Sequence, residues 1–205
     1  MPIVKLKKIK IKDNGESLVA LKKYCPENFI EFWRKEDLAK EKTLYARRTI
    51  VKMLKKAQNL LVKGITFKIR DAWRPFSSQQ RNYFKAIDKN RKKHPSWPNS
   101  RLRREVNKLV FPPDAGIPPG HTTGAALDLT LCYKNGHSLP MRSYQKRSED
   151  LAKRNRELLK KIMESVGFSN YPAEWWHFSY GDTSWAYRSN KKTAIYGGIE
   201  RSNHN

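Results

Sequence analysis

A chain of 205 residues, 38% hydrophobic and 11% aromatic, is long enough to bury one sizeable core, and that composition excludes wholesale disorder. The charge is lopsided: 43 Lys and Arg against 19 Asp and Glu give +24, a field that attracts nucleic acid, anionic lipid or acidic wall polymers. Two distant cysteines, Cys25 and Cys132, exclude a disulfide scaffold and a Cys-x2-Cys metal site, and no run of about 18 apolar residues offers a membrane span.

No zinc-finger, recognition-helix or RNA-binding signature accompanies the charge, so no specific nucleic-acid partner is expected; a Lys-rich surface without further role explains it equally well. Neither a repeat nor an interdomain linker interrupts the chain, which reads as one domain over residues 1–205. Residues 1–12 alternate loosely between apolar residues and lysine, which predicts an edge strand or arm. They never form the continuous apolar stretch of a secretory signal, so cytoplasmic residence is the default.

Asp13-Asn14-Gly15 signals a turn. Leu44, Val51, Leu54 and Leu61 recur at helical spacing and predict a long basic helix over residues 38–62, stopped by Gly64. The β-branched alternation of residues 65–70 predicts a strand that delivers Arg74 just past its end, where Pro75 enforces an extended exit. Ser77-Ser78-Gln79-Gln80 has the form of a capping box opening a helix to about Lys89. Arg74 thus sits on a loop between strand and helix, either a functional cation or a surface partner of Asp71. A short helix over residues 100–110 follows a Pro-broken basic loop, and the Pro-rich stretch 111–119 leads to His121.

From His121 the chain runs Thr122-Thr123-Gly124 and then an apolar stretch, 125–131, broken only by Asp128. Seven extended residues would span roughly 23 Å. His121 and Asp128 therefore share a site only if the chain folds back at Thr122–Gly124. A buried carboxylate must be paired or bind a metal, so the two residues are either ligands or a loop His and strand Asp satisfied by hydrogen bonds. Cys132, four positions past Asp128, falls on the same strand face as a small buried side chain. Lys134-Asn135-Gly136 reads as a hairpin turn, with His137 solvated beside it. Residues 148–166 form a helix whose buried side is Leu151, Leu158, Leu159, Ile162 and Val166.

Glu174-Trp175-Trp176-His177 follows Pro172 and leads into a strand to Tyr180. Strand positions three apart face opposite ways, so Glu174 and His177 meet at one site only across a bend or bulge. A turn at Gly181-Asp182, a last strand over 193–196 and a frayed tail over 201–205 complete the chain. Two His and one Asp make a three-ligand zinc set with a fourth position open, and a carboxylate outside that set is what metal-assisted hydrolysis needs as a base.

Three segments, Asp71-Ala72-Trp73-Arg74-Pro75, His121 to Leu131 and Glu174 to His177, together with Ala194 to Gly198, resemble the zinc peptidases of the D-alanyl-D-alanine dipeptidase and carboxypeptidase group. The resemblance implies an α+β fold, a small mostly antiparallel sheet bearing the zinc site with helices packed around it. It implies one Zn2+ per chain on His121, Asp128 and His177, Glu174 as general base, and Arg74 on the scissile carbonyl oxygen. The closer likeness is to the D-alanyl-D-alanine dipeptidases, which implies zinc-dependent hydrolysis of the D-alanyl-D-alanine dipeptide in cell-wall metabolism; a carboxypeptidase or endopeptidase acting on longer peptidoglycan stem peptides is the alternative. A basic module that keeps the zinc core without catalysis is the alternative of another class. The positive surface would suit an anionic wall polymer. Two departures stand out: Pro119 occupies a position where the group is expected to carry Ser, and no acidic residue to grip a free amine is evident near 139–150, where Glu149 and Asp150 read as first-turn helix charges.

Overall fold

The computed structural model describes residues 3–31, 43–142 and 146–201. In chain order the first elements are α1 (Ile3–Leu6), β1 (Lys10–Ile11), β2 (Leu18–Ala20), α2 (Leu21–Tyr24), β3 (Phe29–Ile30), β4 (Tyr45–Arg47), α3 (Arg48–Gln58), β5 (Ile65–Asp71), α4 (Phe76–Lys93) and α5 (Asn99–Val106). A 3-10 turn at Gly120–Thr123 then leads to β6 (Ala126–Tyr133), α6 (Lys146–Ser165), β7 (Ser169–Tyr171), β8 (Glu174–Ser179), α7 (Thr183–Arg188) and β9 (Thr193–Ala194).

The α+β class holds, but the sheet is neither small nor strictly antiparallel. Five strands lie in the order β3-β5-β6-β8-β7, with β3 parallel to β5 and the other three pairings antiparallel. A parallel pair needs a long crossover, which β4 and α3 supply. Two ribbons flank the sheet, β2 against β4 antiparallel and β1 against β9 parallel.

β6 explains the two faces. Leu127, Leu129 and Leu131 point into the main core with Phe67 and Ile69 of β5, under α3 (Ile50, Val51, Leu54) and α6 (Leu159, Ile162, Met163). The alternate residues, Asp128 among them, belong to the other face. Cys132 is buried there as a neutral thiol, and desolvation raises its pKa to about 11. A smaller cluster of Tyr83, Ile87, Leu102 and Val106 holds α4 to α5 as a hairpin.

Several expectations need correction. The helix expected over 38–62 is α3 alone: Leu44 to Arg47 is extended, Leu44 accepting from Leu21 N and Arg47 donating to Gly124 O, while residues 38–42 lie outside those described. The spacing of Leu44 from Val51 fits a helix, but a strand and turn cover it as well. Among the described residues 3–12 only Lys10–Ile11 is strand; Leu6 sits fully buried on a helical turn. No side chain caps α4, which begins at Phe76 behind Pro75, so the capping box is absent. Leu151 is 50% exposed, and Ala152 takes the buried position on α6 instead. α7 was not foreseen; Asp182 caps it, its Oδ1 accepting from Trp185 N at 2.6 Å. Arg201 lies over the Tyr45 ring, and residues 202–205 are outside those described. Among the described residues no helix is long and apolar enough to cross a membrane.

The chain ends are tied together by Arg47, whose side chain is 1% exposed. Its guanidinium donates to both oxygens of Asp13, to the carbonyls of Glu16 and Thr123, and to Gly197 O at 3.2 Å. It also stacks 5.0 Å from the Tyr196 ring centroid. Removing one partner of a buried pair costs about 3–5 kcal/mol. Arg47→Leu is therefore expected to lower unfolding free energy by about 3 kcal/mol in urea titrations. Burial works to raise the Asp13 carboxyl, but the amides of Gly15 and Gly197 and the charge of Arg47 overcome it and hold the pKa below its ordinary 3.8. A depressed carboxyl contributes stability above the unfolded value and loses it as pH falls through the folded one. The urea midpoint should therefore fall between pH 5 and pH 3, and fall less steeply in Asp13→Asn.

Candidate metal centre

Three elements bring His121, Asp128 and His177 together. Asp128 projects from β6, and His177 is its register partner on β8. His121 arrives on the 3-10 turn, and Gly124 reverses the chain at φ +71, its N–H closing on His121 O at 3.2 Å. That is the fold-back the spacing of His121 and Asp128 requires. A side chain at Gly124 would strike Leu18 Cδ2 at 2.5 Å, so glycine is demanded by space as well as by φ.

His121 Nδ1 lies 2.7 Å from Ala72 O. A carbonyl only accepts, so Nδ1 carries a proton, and Nε2, 3.3 Å from Asp128 Oδ1, is the nitrogen turned toward the carboxylate. His177 Nδ1 stands 2.8 Å from the same oxygen. The three donor atoms lie within 4.8 Å of one another. Asp128 is 5% exposed. Burial alone would raise its carboxyl, but the His121 charge and the hydrogen bonds of both imidazoles hold it far below the usual carboxylate range. Burial would lower His177, yet the hydrogen bond it donates to Asp128 and the charge of that carboxylate, with Glu174 behind, raise it. Two ring nitrogens and one buried carboxylate converging on one point, with His121 fixed from behind by a backbone carbonyl, fit a divalent zinc ion with a position to spare.

Glu174 lies on the same strand as His177, its Oε2 4.0 Å from His177 Nδ1. The strand does carry the irregularity that this spacing demands, opposite Asn170 and Tyr171. Burial and the charge of Asp128 raise the Glu174 carboxyl, against the pull of His177, His121 and Arg74. Arg74 follows β5, and its backbone N–H donates to His121 O at 3.1 Å. Arg74 pairs with Asp71 at 2.5 Å, not at the surface but from a buried position lining the same cleft as His121, Asp128 and His177. Gln79 accepts from its Nη1 at 2.7 Å and itself donates to Phe111 O, and the buried Nε–H has no partner among the described residues.

Trp176 and Pro119 line this cleft, while Trp175 packs against the core. Glu149 pairs with Arg156 on α6, away from the cleft. Among the described residues lining it, Asp128 and Glu174 are the only acids. Gln79 and Asn170 were missed by the sequence reading. Gln79 stood in the segment read as a cap, and nothing in the sequence marks Asn170.

The family profile described as D-ala-D-ala dipeptidase matches residues 19–194. A D-alanyl-D-alanine dipeptidase of Synechocystis sp. is 38% identical over an alignment covering 40% of this chain and 45% of that protein. One of Escherichia coli is 36% identical over 32% of this chain and 39% of that protein. The chain thus spans less than half the length of these curated relatives. Two solved structures share the fold: a variant of the vancomycin-resistance D,D-pentapeptidase VanY in complex with Zn(II) (TM-score 0.51, 15% identity, 74% of this chain and 83% of that one) and VanYB in complex with D-Ala-D-Ala (TM-score 0.53, 16% identity, 74% and 81%).

Metal analysis tests the centre directly. The wild type should hold about one zinc per chain after dialysis and Asp128→Asn under about a tenth of that, because the carboxylate that balances the cation is gone. A chelator should lower the melting temperature of the wild type and leave that of Asp128→Asn unchanged.

Proposed function

The chain belongs to the D-ala-D-ala dipeptidase family, and from that premise we propose that it is a zinc peptidase hydrolysing D-alanyl-D-alanine bonds of cell-wall peptides. The observation that carries this reading is the convergence of His121, Asp128 and His177 with Glu174 and Arg74 on one cleft. When bound by the three ligands, zinc supplies Lewis-acid polarisation of the scissile carbonyl and acidifies water toward neutrality. Glu174, beside the ligands but free of the triad, takes a proton from the attacking water and returns it to the leaving amine. Arg74, fixed by Asp71 and Gln79 and lining the cleft, presents its guanidinium charge to the oxygen on which negative charge develops. Asp71 and Gln79 thereby keep the guanidinium from swinging into solvent.

The substrate's free end is the open choice between dipeptidase and carboxypeptidase. With Asp128 and Glu174 engaged and Pro119 lacking a hydroxyl, the described lining offers no third acid for a free amine, which keeps a carboxypeptidase acting on a longer stem peptide as the alternative to the dipeptidase. The basic surface supports docking to an anionic wall polymer; exposed Lys85, Lys89, Lys92 and Lys93 crowd one end of α4. Such docking should weaken steadily as ionic strength rises.

Release of D-alanine from D-Ala-D-Ala and from its N-acylated form, with and without chelator, tests the reading. Chelator-sensitive release from the free dipeptide makes it a dipeptidase, and release from the acylated form alone makes it a carboxypeptidase. Release from neither removes the proposal of an exopeptidase. Glu174→Gln should keep its zinc and lose about 10²–10⁴-fold in kcat, and persistence of activity would show that another group is the base.

A further inference from the structure

The ladder between β7 and β8 breaks at one step. Asn170 pairs with Phe178 and Tyr171 with Glu174, so a single step on β7 answers to four on β8. Residues 175–177 are the excess, and they form the bulge that lets Glu174 and His177, three apart, face the same cleft. Such an arch turns carbonyls away from their ladder partners, and they must be met by something else.

One side chain meets them. Asn170 Nδ2 donates to the carbonyls of Glu174 at 3.1 Å, Trp175 at 3.3 Å and His177 at 3.0 Å. All three are pure acceptors, so the amide nitrogen, not the oxygen, must face them. Two N–H bonds serve three carbonyls, one of them shared. Asn170 cannot reach the substrate: it borders a depression on the α6 side with Lys153, Glu157 and Trp175, while Glu174 and His177 open on the cleft.

We infer that Asn170 is a positioning residue of the centre: its carboxamide pins the bulge of β8 and so sets His177 against Asp128 with Glu174 beside them. The inference rests on the hydrolytic reading for its kinetic consequence, but the metal geometry can be tested without substrate. A group that orients ligands from behind typically changes metal affinity or activity about 10–100-fold when lost. The position differs from a catalytic one in acting only through the backbone of three other residues, Glu174, Trp175 and His177.

Asn170→Asp keeps the shape, removes both donors and sets a negative charge before three carbonyl oxygens. Asn170→Ser retains one donor at shorter reach. Zinc affinity by competition with a chromophoric chelator, and kcat and KM on whichever peptide the wild type cleaves, are measured where circular dichroism shows each protein fully folded. Zinc affinity and kcat should each fall about 10–100-fold in Asn170→Asp, with KM within about three-fold and Asn170→Ser between the two. A purely structural residue would lower the melting temperature and leave the zinc affinity and kcat of the folded protein unchanged. That result in Asn170→Asp, or in Asn170→Ser should the former not fold, overturns the inference. A wild type that binds zinc but cleaves neither peptide defeats the functional reading alone, and the affinity series then decides for Asn170. A wild type that takes up no zinc overturns both.

Discussion

A carboxylate sealed from water has to be answered by positive charge, and the placing of Asp128 between two imidazoles organises the sheet around it. Its neighbours on β6, Leu127 and Leu129, are anchored in the core, which fixes which face Asp128 presents. Slipping β6 by one residue would drive the carboxylate into that core and expel the leucines. The register that buries the apolar side chains is therefore the same one that opposes Asp128 to His177. Core packing and site geometry are one constraint here, not two.

The third member of the cluster, His121, needs separate support because it comes from a turn. Arg47 provides part of it, accepting no solvent and gripping the Thr123 carbonyl, while its own backbone N–H bonds Gly124 O. Ala72 O and the Arg74 N–H hold His121 from the other side. The turn is thus clamped between the N-terminal ribbon and the end of β5, and a short, exposed-looking stretch of sequence becomes a rigid part of the fold. On the opposite flank the bulge of β8 has its own support in Asn170.

Much of this was legible in the sequence, unevenly. β5 and α6 follow from β-branched alternation and helical spacing, which report local burial directly. Gly124, Asp128 and the Glu174–His177 spacing each stated a geometric requirement, a reversal, a charge partner and a bulge, and the structure meets all three. Composition alone left His121 and Asp128 open between ligands and hydrogen-bonded residues; the likeness to known peptidases decided that expectation. What escaped was long-range or short-lived along the chain. The parallel pairing of β3 with β5 involves a strand of two residues, too brief to have a period. The α3 boundary failed because Leu44 is buried just ahead of β4, at a spacing that a helix would also satisfy. Asn170 acts through carbonyls of residues that any sequence could carry, so no pattern announces it.

The knot at Arg47 has a consequence for how the protein comes into being. Gly197 reaches Arg47 across 150 residues and Asp13 across 184, and Tyr196 reaches Glu16 across 180. During synthesis the N-terminal ribbon and β6 exist long before their last partners leave the ribosome, and contacts so remote in sequence form slowly. Until Tyr196 and Gly197 dock, the Arg47 cluster that grips the Thr123 carbonyl lacks two of its partners. The clamp on the turn bearing His121 is therefore completed late, by contacts that join the two most widely separated parts of the described chain.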